Sequence, residues 1–501
     1  MIEAAAILIP GLAVYLIVAA VWEERESTPA GLILRIAMAG GLSIGLTACT
    51  TYLLFLLAPP SAGTLAVIDL AVSAGLVTVA VHIVRRRDGS VRDLFWRQRL
   101  PVPQRSSPGG RLLGIGLALA AVLALAAFII RSLHEPHGGW DAWSIWNYRA
   151  RLIFRGGADW TQAFSSLHAG SHPDYPPLLP LAIVRLWIYT GSETTAAPAL
   201  IASVFTFGGI ALLAGALARL RGRFAGIAGA LALLGSGLYL KQGASQYADV
   251  PLAFAILSAS ALLFLTYDEH AAHHNRGRGG LVLLGWSAVQ AAWTKNEGIL
   301  FLCLVGAVLA ASMIRRQGWP PGLRDWAALA GGAFLPGVLL LHFKLFLGGD
   351  SDLLTGWSPA VLLDRASEPG RIGLIVKAFF KEPLKVVGWS GLPLVAALGF
   401  LRIPRVRWSR RPAPAALAIL GLMLGGYALA YLMTPHDVAW HLGTSLKRLY
   451  LHIFPAGLLL FFYLLRSPSS EAARTVPAGA RVSTTRTGRR RRSSARRSSK
   501  T

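Results

Sequence analysis

The sequence predicts an all-α polytopic membrane protein with about 13 transmembrane helices and a long extracytoplasmic first loop that contains juxtamembrane helices. Of its 501 residues, 54% are hydrophobic and only 15% are charged, whereas soluble domains carry roughly 25% charged residues. Several windows exceed the roughly 18 apolar residues that mark a spanning helix. The alternation of strand and turn expected of an outer-membrane barrel is absent.

The charge and the cysteines exclude other classes. The net charge of +25 lies largely in short loops between apolar segments and in one tail, which indicates topology signals and anionic lipid rather than nucleic acid. Cys49 and Cys303 both fall within apolar segments, so no disulfide framework or metal-cysteine motif is predicted. The first apolar run has Glu3 and no basic start, which favours an uncleaved span over a secretory signal.

The apolar runs give the span boundaries. The predicted spans lie near residues 4–22, 31–57, 64–84, 112–133, 196–218, 222–240, 250–267, 281–296, 298–314, 326–347, 387–402, 413–432 and 448–466. Three regions follow: a three-span region 1–111, a transmembrane module 112–466 and a basic, disordered cytoplasmic tail 467–501.

Basic loops set the orientation of these spans. Lys and Arg concentrate after residue 84 and in segments 219–223, 273–280, 315–324 and 402–412, and such loops are cytoplasmic. All five basic segments lie on the cytoplasmic side only if residues 175–191 form a juxtamembrane or re-entrant helix. The stretch "WTKNEG" (293–298) must likewise be a turn between two short helices. Loops 134–195, 241–249, 348–386 and 433–447 then reach the extracytoplasmic face together with this turn.

Four of these segments contribute ionisable groups to that one face, where such groups usually meet a cavity or a partner. The candidates are Trp140, Asp141, Arg149, Arg151, His172, Asp174, Tyr175, Lys241, Gln246, Tyr247, Asp249, Lys295, Asn296, Glu297, His436, Asp437, His441, Lys447 and Arg448.

Each candidate also has a structural interpretation. Asp141 and Asp249 are both typical helix N-caps. Lys295 and Glu297 are close enough in sequence to pair with each other. The tryptophans around Asp141, Trp140 among them, suit an aromatic belt as well as a sugar ring. Lys447 and Arg448 suit a membrane-edge anchor, although positive charge on this face favours an anionic partner. The spacing of His436, Asp437 and His441 is not one of a metal site.

The ordered elements resemble a known superfamily. "GWDAW", "HPDYPPLLP", "YADVPLA", "WTKNEG" and "WHLGTSLKRL" occur in that order between residues 112 and 466. This set resembles the bacterial GT-C membrane glycosyltransferases, which include protein O-mannosyltransferases, the lipid A aminoarabinose transferase and rhizobial core-sugar transferases. The chain departs from them in having three spans before the acidic loop, a single Asp in the first motif and no large soluble C-terminal domain.

The resemblance implies a chemistry. A polyprenyl-phosphate sugar would be the donor and a cell-envelope glycan, lipid or protein the acceptor, at the extracytoplasmic face of a bacterial cytoplasmic (inner) membrane. Asp141 would be the catalytic base. Lys295, Lys447 and Arg448 would bind the lipid phosphate, and Asp249 would hold the acceptor or orient a neighbour. Trp140, His172, Asp174, Tyr175 and Glu297 would complete the binding site.

Two competing classes and one cofactor question stay open at this point. A transporter or flippase of a lipid-linked or anionic substrate would carry midplane charges and broken, inverted-repeat helices. A membrane assembly subunit would not depend on Asp141. The resemblance implies no certain cofactor and leaves a divalent metal open; no nucleic-acid partner is expected.

Overall fold

A computed structural model describes residues 2–22, 28–86, 108–272, 278–314, 322–351, 358–400 and 412–465, and every regular element in these ranges is helical. Most of the basic-loop residues that set the predicted orientation, and the predicted tail 467–501, lie outside the described residues. The chain is thus an all-α, multi-pass membrane protein by the length and hydropathy of its helices.

The helices follow the chain with short connections. They are α1 Ile2–Val21, α2 Pro29–Leu57, α3 Ala62–Arg85, α4 Pro108–His134, α5 Asn147–Gly156, α6 Leu178–Thr190, α7 Ala196–Arg221, α8 Arg223–Leu234, α9 Gly237–Ala244, α10 Asp249–Ala272, α11 Arg278–Thr294, α12 Asn296–Ile314, α13 Leu323–His342, α14 Pro359–Ser367, α15 Arg371–Val387, α16 Gly391–Phe400, α17 Pro412–Met433 and α18 Val438–Leu464. A π-helical turn, Ala142–Trp146, precedes α5, and two 3₁₀ segments, Gly157–Phe164 and Ser166–Ser171, follow it.

Within the described ranges, nine helices are long and apolar enough to cross a membrane. A tenth span is formed if α8 and α9, which bend by 66° at their junction, count as one. The predicted spans at 281–296, 298–314 and 387–402 coincide with helices α11, α12 and α16, which do not meet that length and hydropathy test. The number of 13 spans therefore stays a prediction.

The last span begins earlier than the sequence predicts. Asp437 accepts a hydrogen bond from the backbone N–H of Trp440 (2.7 Å) and caps α18 at Val438. The predicted loop 433–447 is therefore largely helical. A helix rises about 1.5 Å per residue, so Arg448 lies roughly 15 Å from the start of α18 and not at a loop edge.

Helix α6 is too short to span, as the sequence predicts for residues 175–191, where it expects a juxtamembrane or re-entrant helix. It has 13 residues, too few to cross the bilayer, and residues Leu178 to Trp187 are all buried. It packs against α5, α2 and α1. Arg185, whose charge makes a full membrane span unfavourable, is 3% exposed.

The predicted turn at 293–298 is also present. Helix α11 ends at Thr294 and α12 begins at Asn296, so Lys295 alone interrupts the helical backbone. The two helices pack against each other, and the missing side chain of Gly298 allows its backbone to approach Ala291. The turn therefore holds Lys295 and Glu297 at the end of a tight helix pair.

A buried ion pair and its hydrogen bonds join α1 and α3 to α6. The Arg185 guanidinium pairs with the Asp69 carboxylate of α3, and the Tyr189 hydroxyl donates to the same carboxylate. Arg185 also donates to the backbone oxygen of Ala6 in α1 at 3.0 Å. Helix α2 packs along α7. The predicted boundary near residue 111, between the N-terminal three-span region and the transmembrane module, stays a prediction. Buried residues on both sides of it belong to one hydrophobic core.

Breaking the Asp69–Arg185 pair should destabilise the fold. Asp69→Leu leaves a buried guanidinium without its carboxylate, which costs about 3–5 kcal/mol. Asp69→Leu combined with Arg185→Met should recover most of that loss, because apolar replacement of both partners is often neutral. Thermal unfolding of the detergent-solubilised protein measures both. Equal melting temperatures for the single variant and the wild type would contradict this role.

Candidate functional site

The centre of the site is Arg448, which pairs with two aspartates from distant parts of the chain. Its Nη2 lies 2.5 Å from Asp141 Oδ2, and its Nε lies 2.7 Å from Asp249 Oδ2. Arg448 belongs to α18, Asp249 begins α10, and Asp141 precedes the π-helical turn. Three segments that the sequence placed on one face therefore meet at one guanidinium.

The two aspartates differ in exposure. The side chain of Asp249 is 0% exposed and that of Asp141 is 16% exposed. Asp249 Oδ1 contacts Lys295 Nζ at 3.2 Å and His452 Nε2 at 2.7 Å. Asp249 is therefore a buried carboxylate that is surrounded by its partners, whereas Asp141 is the more exposed carboxylate of the two.

A tight backbone contact positions Asp141. The backbone N–H of Gly139 donates to the Ser245 oxygen at 3.0 Å. Gly138 has φ +76°, and a side chain at either glycine would collide with residues 245–247. Asn147 Nδ2 donates to Gln246 Oε1 at 2.8 Å. The first loop is thus fixed to the segment that leads into Asp249, which places Asp141 beside Asp249.

The N-cap interpretation of both aspartates differs from the observed contacts. The Asp141 side chain makes no capping hydrogen bond, and it accepts from Arg448 instead. Asp249 directs both of its oxygens to Arg448, Lys295 and His452. Salt bridges across helices therefore determine the position of both carboxylates.

Tyr247 lines the site beneath the guanidinium. Its ring centre lies 5.0 Å from the Arg448 Cζ, a cation–π distance. Burial raises the pKa of Tyr247. The phenol is therefore protonated at neutral pH, so its hydroxyl is available as a donor.

Lys295 connects the ion pairs to an aromatic stack. Its Nζ lies 2.9 Å from Glu297 Oε1, as the sequence allows, and 5.8 Å from the ring centre of Tyr175. The Tyr175 ring stacks between Trp146 (5.5 Å) and His172 (4.9 Å). One side of the site is therefore a rigid wall of three parallel rings.

Arg149 holds the backbone behind this wall. Its Nη2 donates to the oxygens of Ser171 (2.5 Å) and His172 (2.7 Å), and its Nη1 donates to the Tyr175 oxygen (3.3 Å). His172 has φ +52°, in the left-handed region that non-glycine residues rarely adopt. Burial lowers the pKa of Arg149 to about 10, so it is still charged at neutral pH and satisfies this unusual turn.

Asp174 lies in a second polar group next to the stack. Its Oδ2 accepts from Asn296 Nδ2 at 2.5 Å, and Lys344 Nζ bonds both the Asp174 backbone oxygen (2.5 Å) and Asn296 Oδ1 (2.7 Å). Burial raises the pKa of Asp174, although the Asn296 hydrogen bond lowers it. This group fastens the loop before α6 to the turn that carries Lys295.

No protein-family model, curated protein or solved structure matches this chain. The GT-C resemblance therefore rests on the sequence motifs and stays an expectation.

His452 is the main site residue that the sequence analysis missed. It lies four residues after Arg448, on the same face of α18, and it is fully buried against Asp249. Its Nδ1 and the Tyr427 hydroxyl are buried without a hydrogen-bond partner among the described residues. An ionisable residue inside an apolar run is itself a signal of function, and this signal could have identified His452.

Several predicted residues are not part of this cluster. Lys447 makes no ion pair or hydrogen bond with the described residues, and Trp140 is 67% exposed with its ring against Trp143. Lys241 is exposed. His436, just before α18, and His441, in its first turn, contact each other and Trp440.

The described residues contain no group of three or more His, Cys, Asp or Glu side chains that could hold a metal ion. Asp141 and Asp249 instead share Arg448. Within the described part of the chain, the carboxylates of the site are therefore paired with the side-chain cations of Arg448 and Lys295.

The difference in exposure between Asp249 and Asp141 predicts which substitution destabilises the fold more. Asp249→Asn should lower the free energy of unfolding by about 3–5 kcal/mol, because Arg448 and Lys295 lose a buried partner. Asp141→Asn should cost at most about 1 kcal/mol, as for partly exposed pairs. Asp159→Asn, in an exposed part of the same loop, should have almost no effect. Thermal unfolding in detergent measures the three variants, and similar losses for Asp141 and Asp249 would contradict the assignment.

Proposed function

We propose that the chain is an integral-membrane glycosyltransferase that moves a sugar from a polyprenyl-phosphate donor to a cell-envelope acceptor. The acceptor would be a glycan, a lipid or a protein hydroxyl at the extracytoplasmic face. The observation that carries the proposal is the pairing of Arg448 with the partly exposed carboxylate of Asp141 and the buried carboxylate of Asp249. Sugar transfer from a lipid phosphate needs a base and a cation within one site.

Asp141 would act as the base. Its carboxylate is partly exposed and lies 2.5 Å from the Arg448 guanidinium. In the reaction the acceptor oxygen bonds to the anomeric carbon, and the bond from that carbon to the phosphate oxygen breaks with inversion. The phosphate leaves with the electron pair, and the acceptor proton passes to Asp141. A positioned base of this kind contributes about 10²–10⁴-fold.

Arg448 and Lys295 would bind the leaving phosphate. Arg448 uses Nε and Nη2 for the aspartates, which leaves Nη1 for a phosphate oxygen. Lys295 adds a second positive charge beside the Tyr175 ring, and cations at a developing negative charge lower the barrier. Asp249 would keep both cations in place, and His452 would orient Asp249.

One observation favours transport as a second candidate. The 66° bend between α8 and α9 is a broken helix of the kind that lines transporter sites. Asp249 lies at the start of α10, and Lys295 and Glu297 lie at the turn before α12, whereas a transporter would carry its charges at the membrane midplane. Arg448 alone of the paired charges lies further along its helix, α18. Transfer is therefore the function that the arrangement supports best.

The test of transfer compares matched aspartate variants. Purified protein receives a radiolabelled polyprenyl-phosphate sugar and a membrane acceptor fraction. Asp141→Asn should lower label transfer about 10²–10⁴-fold because the base is lost, while Asp159→Asn should transfer at the wild-type rate. Undiminished transfer by the Asp141 variant would remove Asp141 as the base. Absence of transfer with any donor, together with label movement across vesicles, would favour transport.

The neighbouring cations give a second comparison. Arg448→Gln should abolish transfer, because it removes the phosphate ligand and leaves Asp141 and Asp249 without their shared partner. Lys447→Gln changes the same charge one position earlier, outside the hydrogen-bonded cluster, and should have a much smaller effect. Transfer rates of the two variants at saturating donor measure this. Equal losses would show that the local positive charge matters and the pairing geometry does not.

A further inference from the structure

Helix α15 carries three parallel rows of side chains. Arg371, Ile375 and Phe379 recur every four residues and face the body of the protein. Ile372, Val376, Phe380 and Leu384 form a second row one residue later, and each is 49% exposed or more. Lys377, Lys381 and Lys385 form a third row, all exposed. Rows spaced by four residues run along one side of a helix.

The first row fixes α15 to the helices that carry the site. Arg371 Nη2 donates to the backbone oxygens of Tyr431 (3.2 Å) and Thr434 (2.9 Å) at the end of α17. The Tyr450 hydroxyl of α18 donates to the Phe379 oxygen at 2.8 Å. Tyr450 is two residues from Arg448, so α15 lies at the same end of the molecule as the ion pairs and braces α18 there.

The other two rows have the pattern of a helix in a membrane interface. Large apolar side chains that include Phe380 (80% exposed) and Leu384 (74% exposed) line one side, and Trp389 (79% exposed) follows the helix end. Lysines line the adjacent side, and helices of this composition lie in the interface plane with their apolar face in the acyl region. With 17 residues, α15 extends for about 25 Å.

The lysines of α15 indicate which kind of lipid binds this helix. Lys385 pairs with Glu382 at 2.6 Å, but Lys377 and Lys381 have no ion pair with the described residues. Two exposed ammonium groups beside an apolar row match the phosphate and acyl parts of an anionic phospholipid. We propose that α15 is an interfacial helix that binds anionic phospholipid through Lys377 and Lys381, with the Ile372–Leu384 row in the acyl region, and thereby steadies α18.

Fluorophores on adjacent positions test the orientation of the helix. Cys49→Ala and Cys303→Ala remove the two cysteines of the chain, and Phe380→Cys or Lys381→Cys then takes a bimane label in phospholipid nanodiscs. Brominated lipid should quench the label at position 380 more strongly, and aqueous iodide should quench the label at position 381 more strongly. Equal iodide quenching at both positions would overturn the interfacial placement.

The lipid charge is tested with the label at position 380. Brominated phosphatidylglycerol should bind more tightly than brominated phosphatidylcholine. Each lysine near an anionic surface contributes about 1 kcal/mol, or about fivefold, so Lys377→Gln with Lys381→Gln should weaken phosphatidylglycerol binding about 25-fold.

Lys241→Gln, an exposed lysine on α9, serves as the matched control and should leave the affinity unchanged. Equal affinities for the two lipids, or an unchanged affinity in the double variant, would overturn anionic recognition. These readouts involve no sugar transfer, so they stand independently of the proposed function.

Discussion

The burial of the Asp249 carboxylate is the constraint on which the site depends. A charged group without solvent must be paired and hydrogen-bonded, and Asp249 meets this requirement with Arg448, Lys295 and His452. Those partners come from α18 and from the turn between α11 and α12. The position of one acid therefore fixes three helical segments, and Arg448 then extends the pairing outwards to Asp141.

The sequence predicts the grouping of the site residues well because the rule behind it is a rule of topology. Basic loops can share one side of the membrane only if residues 175–191 do not span and "WTKNEG" is a turn. The structure has a 13-residue buried helix in the first region and a helix break at Lys295 in the second. These two features bring Asp141, Asp249, Lys295, Glu297 and Arg448 to the same end of the bundle.

The remaining detail depends on contacts that no local pattern encodes. Asp141 and Arg448 are 307 residues apart in sequence. The residues next to Asp141 therefore do not reveal this pairing, and they fit a helix N-cap equally well. The start of α18 was misplaced because the polar residues around Asp437 resemble a loop, although Asp437 caps a helix. His452 is an ionisable residue in an apolar run, which is a signal of function, but its contact with Asp249, 203 residues earlier in the sequence, is not encoded by any local pattern.

Arg185 has a consequence for the order in which the chain is made. Helices α1 and α3 leave the ribosome well before α6, so Asp69 is already in the membrane when Arg185 arrives. A short helix with an uncompensated guanidinium does not enter the bilayer readily. The groups that receive Arg185, the Asp69 carboxylate and the Ala6 backbone oxygen, thus both precede α6 in the order of synthesis. Membrane insertion of α6 therefore depends on helices that are made more than a hundred residues earlier.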